Sequence, residues 1–67
     1  MEITLNNQKI TIADTDVLET ILESNHLVLK KGIAVAVNAS VIPRVMWPKH
    51  KLNANDTIMV IIATAGG

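Results

Sequence analysis

A chain of 67 residues has room for one small domain and no second one, because the fraction of its surface that a chain can bury falls as it shortens. An apolar content of 49% is enough for a single core, but at roughly 0.05–0.15 kcal/mol of stability per residue such a core is marginal, and oligomerisation or a partner would help it. Six basic residues balance six acidic ones, so no net charge draws the chain to a nucleic-acid backbone or an anionic membrane, and the lack of cysteine excludes a disulfide framework, a thiolate metal site and a persulfide.

Met1 leads straight into Glu2, Ile3, Thr4 and Leu5, without the basic stretch and apolar run of a secretory signal, and a cytoplasmic location is expected. Ile3 and Leu5 alternate with Glu2 and Thr4, and Ile10 and Ile12 alternate with Lys9 and Thr11, the period of two that half-buried strands require. Asn6, Asn7 and Gln8 join the two runs into a hairpin, since asparagine tolerates the positive φ of tight turns.

Asp14, Thr15 and Asp16 offer side-chain oxygens to a helix start, and Glu19 follows Asp16 at the spacing of a capping box. The helix expected there packs Val17, Leu18, Ile21 and Leu22 on the sheet, turns Glu19, Thr20, Glu23 and Ser24 outward, and ends at Asn25 and His26.

After a break at Lys30, Lys31 and Gly32, residues Ile33 to Val37 read as a third strand, and Asn38-Ala39-Ser40 turns it into a short run at Val41 and Ile42. Pro43 cannot donate a ladder hydrogen bond and confines that run to a sheet edge or its end. From Arg44 to Leu52 the sequence reads as irregular, with Trp47 packed over the edge of the core and Arg44 as a solvated turn residue. Residues Asn53 to Asp56 form a turn, and Thr57 to Ala63 form the last strand; its apolar run from Ile58 is far too short to span a bilayer. The predicted core is Ile3, Leu5, Val17, Ile21, Val35, Val37, Ile58 and Val60.

A hairpin, one helix and two or three further strands give an α+β chain with a mixed four- to five-stranded sheet covered on one face, the topology of a ubiquitin-like β-grasp domain over residues 1–67. Met59 and Ile61, out of phase with Ile58 and Val60, then point to the open face, where they form a candidate partner-binding patch. Simple edge packing or a contact between copies is the plainer account of the same two residues.

Several features together resemble the ThiS family of bacterial sulfur carriers of thiamine synthesis, across essentially the whole chain. They are the asparagine turn after the opening strand, Val17-Leu18-Glu19 in the helix, Val35-Ala36-Val37-Asn38, Ile42-Pro43-Arg44, Trp47, Asp56 before the last strand, and Gly66-Gly67 at the end. The sequence departs from the family pattern at Asn55, where glycine is common, and at Met59, which replaces a more polar residue.

The resemblance implies that Gly67 is adenylated and converted to a thiocarboxylate that donates sulfur to thiazole formation, with Gly66, Ala65 and Thr64 as a thin, mobile tail in which glycine lets the backbone approach closely. The partners it implies are a ThiF-like adenylating enzyme, the thiazole synthase ThiG, and a cysteine desulfurase or equivalent sulfur donor. The chain itself is then a cosubstrate and not an enzyme. ATP and magnesium belong to the adenylating partner, because the chain has neither a Gly-rich phosphate loop with lysine nor clustered carboxylates.

Two terminal glycines alone fit a frayed end as well as a functional one. A molybdopterin-synthase small subunit of the MoaD family shares the fold and terminus, although the short, tightly turned opening strand favours thiamine. A ubiquitin-like modifier joined through Gly67 to a target lysine, or a noncovalent binding module, is an alternative of another class. His26 and His50 lie apart from other plausible metal ligands, and Ser24 and Ser40 sit in no nucleophile motif, so no metal site and no hydrolase is expected.

Overall fold

The computed structural model describes residues 1–25 and 32–62. Strands β1 (Glu2–Leu5) and β2 (Gln8–Thr11), helix α1 (Leu18–Ser24), strands β3 (Ile33–Val37) and β4 (Ser40–Val41), a 3-10 helix (Arg44–Lys49) and strand β5 (Thr57–Ile62) follow in order. The five strands form one mixed sheet in the order β2-β1-β5-β3-β4, as the β-grasp reading requires. No helix among the described residues is long and apolar enough to cross a membrane.

Both hairpins are closed by turns of positive φ. Asn6 and Asn7 stand at 48° and 68°, and Asn38 and Ala39 at 51° and 71°, the backbone twist that matches two-residue connections to twisted strands. Gln8 and Ser40, read from the sequence as turn residues, already pair in β2 and β4, opposite Leu5 and Val37. Asn55 also has positive φ, 69°, which accounts for asparagine at a position where the family commonly has glycine.

Alternation sorts the two sheet faces as expected. Ile3, Leu5, Val35, Val37, Ile58 and Val60 are buried beneath Leu18, Ile21 and Leu22 of α1. Val17 is only half-buried, because it lies outside the helix and bridges Lys51 instead of facing the core centre. Ile12, Trp47 and Leu52 complete the core.

Two local expectations are corrected. Helix α1 starts at Leu18 with Val17 at its N-cap, not at the Asp14–Asp16 cluster, and no side chain caps it. Asp16 instead accepts a hydrogen bond from the Ala13 N–H at 3.0 Å, while the Leu18 N–H is satisfied at 2.9 Å by the His50 carbonyl. A distant loop has taken the place of a local cap. Residues Arg44 to Lys49, read as irregular, form the 3-10 helix. It lowers Trp47 into the core, where the ring is 2% exposed and its Nε1–H donates to the Ile42 carbonyl at 2.9 Å. Arg44 lies over that ring, 4.7 Å from its centroid, so it is a stacked cation and not a bare turn residue. The end of α1 at Asn25 is as read; His26, Lys30 and Lys31 lie outside the described residues.

Ile58 is fully buried at the middle of the sheet, and Ile58→Ala should cost about 2–5 kcal/mol in chemical denaturation, most of the stability of so small a domain. Ala39 holds a left-handed conformation with a Cβ that disfavours it. Ala39→Gly should therefore raise stability by about 0.5–1 kcal/mol in the same assay, relief of strain exceeding the added entropy of the unfolded chain.

Candidate functional site

The candidate site has two parts, the open face of the sheet and the tail that follows β5. On the open face Val41, Ala36 and Met59 stand in one row across β4, β3 and β5, and Ala34 and Ile61 form the next row. Met59 is 50% exposed, Ile61 55% and Val41 71%. The sequence placed Met59 and Ile61 on this face correctly; it did not single out Val41, Ala34 and Ala36, which adjoin them only once the register of β3 against β4 and β5 is known. An apolar patch running across three neighbouring strands is the kind of surface that protein interfaces use.

Strand β5 is held rigidly behind that patch. It pairs in parallel with β1, where Leu5 faces Ile58, and antiparallel with β3 from Ile33–Ile62 to Val37–Ile58. Asn6 prolongs the β1 side beyond the end of the strand: its N–H donates to the Ile58 carbonyl at 2.9 Å, and its side-chain Oδ1 accepts from the Val60 N–H at 2.8 Å. The side chain serves where the positive φ of Asn6 has turned the main chain away.

The start of β5 is set by Asp56, a carboxylate only 7% exposed. Its Oδ1 accepts from Asn38 Nδ2 at 2.9 Å and its Oδ2 from the Asn53 N–H at 2.8 Å. Asn38 in turn accepts from the Thr57 N–H at 2.9 Å, and the Asp56 carbonyl accepts from the Thr4 N–H at 2.9 Å. One residue thus ties the β3–β4 turn, the loop before β5 and the β1 ladder together. Each donor that Asp56 satisfies would otherwise be left without a partner in a partly buried place.

Thr64, Ala65, Gly66 and Gly67, the residues expected to carry the chemistry, lie outside the described residues. Among the described residues there is no group of three or more histidine, cysteine, aspartate or glutamate side chains that could hold a metal ion, and there is no surface pocket. His50 is half-buried and contributes its main chain to the start of α1.

A family model described as the ThiS family matches residues 1–67, the whole chain from the opening hairpin to the terminal glycines. The chain belongs to the ThiS family. The sulfur carrier protein ThiS of Escherichia coli (strain K12) is 30% identical over 67 residues, covering 100% of both chains. The crystal structure of the thiamine biosynthesis protein ThiS from Geobacter metallireducens superimposes with a TM-score of 0.84 at 19% identity, again covering 100% of both chains. The NMR solution structure of a thiamine biosynthesis protein from the same organism gives a TM-score of 0.73 at 17% identity, covering 100% of this chain and 88% of that one. These two likenesses establish the fold, and the family match extends it to the sequence.

Within this ThiS-family fold, Asp56 and Asn38 should act as a structural pair. Asp56→Ala should lower stability by about 1–3 kcal/mol in denaturant titration, since it strands the Asn38 amide and the Asn53 N–H together. A change below a few tenths of that would mean water replaces the carboxylate without cost.

Proposed function

We propose that this chain carries sulfur as a thiocarboxylate on Gly67 and donates it to thiazole formation in thiamine biosynthesis. The observation that carries the reading is the family match along all 67 residues, which runs through Gly66 and Gly67, together with full-length similarity to a protein named as a sulfur carrier.

The chemistry follows from the terminal group. A carboxylate is a poor electrophile, so its oxygen first attacks the α-phosphorus of ATP, forming an acyl-adenylate and releasing pyrophosphate. A sulfur nucleophile then attacks the activated carbonyl carbon and AMP leaves: sulfide gives the thiocarboxylate directly, whereas a donor persulfide gives an acyl disulfide that a thiol cleaves, the thiocarboxylate departing and the donor sulfur ending in a disulfide with that thiol. The chain supplies the acyl group, and the adenylating enzyme supplies the ATP and magnesium sites; the carrier is a cosubstrate and not a catalyst. Glycine at the last two positions removes any Cβ from a tail that must enter another protein's active site. A ThiF-like enzyme, a cysteine desulfurase or equivalent donor, and the thiazole synthase ThiG are the partners in this reading, in the cytoplasm.

The open face is the docking surface in the same reading. Met59 and Ile61 lie on the strand that leads into the tail, so a partner gripping them holds a fixed point from which the tail begins. Met59→Asp and Ile61→Asp should fold normally, both side chains being half-exposed, and should weaken binding to the adenylating enzyme by about tenfold or more, as expected for burying a carboxylate in an apolar contact. Unchanged affinity in a titration would remove the open face from docking.

Mass spectrometry after incubation with ATP, the adenylating enzyme and a sulfur donor tests the chemistry. The product should be heavier by the difference between one sulfur and one oxygen, with the change confined to the C-terminal peptide. Deleting Gly67 should abolish it, and a residue added after Gly67 should slow transfer by about a hundredfold or more, because the reacting carbon is displaced. Adenylate without thiocarboxylate, accompanied by lysine-linked conjugates, would replace the carrier reading with that of a protein modifier.

A further inference from the structure

We propose that Met59 is a modification site: oxidation of its thioether by hydrogen peroxide blocks docking through the open face, and reduction of the sulfoxide restores it. The inference rests on the docking role given to that face above.

The chain has three methionines, and their positions differ in kind. Met1 is half-buried against the core, and Met46 is 44% exposed on the 3-10 helix. Only Met59 stands on the open face. Its strand is hydrogen-bonded on both edges, so its side chain cannot turn inward without breaking the ladder. Its neighbour on β3 is Ala36, whose single methyl is too short to cover a thioether. On the other side Asn6, just past the end of β1, stands beside it, hydrogen-bonded to Ile58 and Val60 on either side of Met59. With half of its surface exposed, the thioether is open to an oxidant from above the sheet.

The reaction is balanced by the peroxide. A sulfur lone pair attacks one peroxide oxygen, the S–O bond forms as the O–O bond breaks, and the departing hydroxide takes the proton from the transferred oxygen. Sulfur is oxidised by two electrons, and the peroxide is reduced to water. The product exchanges an apolar thioether for a polar, chiral sulfoxide. Its apolar neighbours on that face, Ala36 and beyond it Val41, and Ile61 along the strand, have no side-chain donor to offer the new oxygen; the polar neighbours, Asn6 and Thr57, lie toward β1 and the start of β5. A partner matched to that apolar row would bury a strong acceptor without a hydrogen bond. The core lies on the opposite face, so oxidation acts on binding and leaves folding intact.

The test uses the full chain and the purified adenylating enzyme. After hydrogen peroxide treatment, with sulfoxide at Met59 verified by peptide mapping, affinity should fall by about tenfold or more, and the two methionine sulfoxide reductases, one for each sulfur epimer, should restore it. Met59→Leu, whatever its own starting affinity, should lose none of it on peroxide treatment, while Met46→Leu should remain as sensitive as the parent. Equal affinity of the verified sulfoxide form, or equal peroxide sensitivity of Met59→Leu, overturns the proposal. If Met59→Asp weakens binding while the sulfoxide does not, the docking role stands and this inference alone falls; if neither weakens binding, both fall.

Discussion

Strand β5 is hydrogen-bonded to β3 from Ile58 to Ile62 and to β1 and Asn6 from its start to Val60, and this pairing commits each of its central side chains to one face. Ile58 and Val60 have no choice but the core, and Met59 and Ile61 have none but the open face. A one-residue slip would exchange the two sets, exposing Ile58 and Val60 on the uncovered face and turning Met59 and Ile61 under the helix. Register is therefore the quantity that the rest of the molecule protects. Asp56 fixes it at the entrance to the strand through Asn38 and Asn53, and Asn6 fixes it midway by lending a side-chain carbonyl to the Val60 N–H.

The same arrangement relates the stable part of the chain to its proposed chemistry. The core needs one face of β5, leaving the other available for a partner without loss of packing. The tail follows a strand that lies in the middle of the sheet, and the chemistry is assigned to residues beyond it. A ThiS-family carrier in this reading needs no cavity of its own. It needs a rigid origin, an adhesive face and an end thin enough for another protein's active site.

Much of this was legible in the sequence because it depends on period and turn chemistry. Alternation in residues 2–5 and 9–12 marks the first hairpin, the apolar runs Ile33 to Val37 and Thr57 to Ala63 mark two further strands, the last of which runs to Ile62 with Ala63 outside the described residues, and asparagine-containing segments mark the turns. The elements that were misread depend on partners far along the chain. Asp14, Thr15 and Asp16 have the composition of a helix cap, but the first helical N–H is taken by the His50 carbonyl, which no local pattern announces. The 3-10 helix of Arg44–Lys49 carries Pro48 and no clear periodicity, and Trp47 organises it from below by bonding back to Ile42. Ala39 in a left-handed turn is invisible to propensity, because the hairpin around it imposes a conformation that alanine disfavours. On the candidate site, Met59 and Ile61 could be placed by parity alone, whereas Val41, Ala34 and Ala36 join them only through strand register.

The most direct test of the account is a nuclear magnetic resonance titration of the isotopically labelled chain with its adenylating enzyme. If β5 docks by its open face and delivers the tail, the perturbed signals should be those of Ala34, Ala36, Val41, Met59 and Ile61 together with residues 64–67, while the exposed residues of α1, Thr20 and Glu23, stay unchanged. A footprint centred on α1 and the 3-10 helix, with the open face silent, would contradict it.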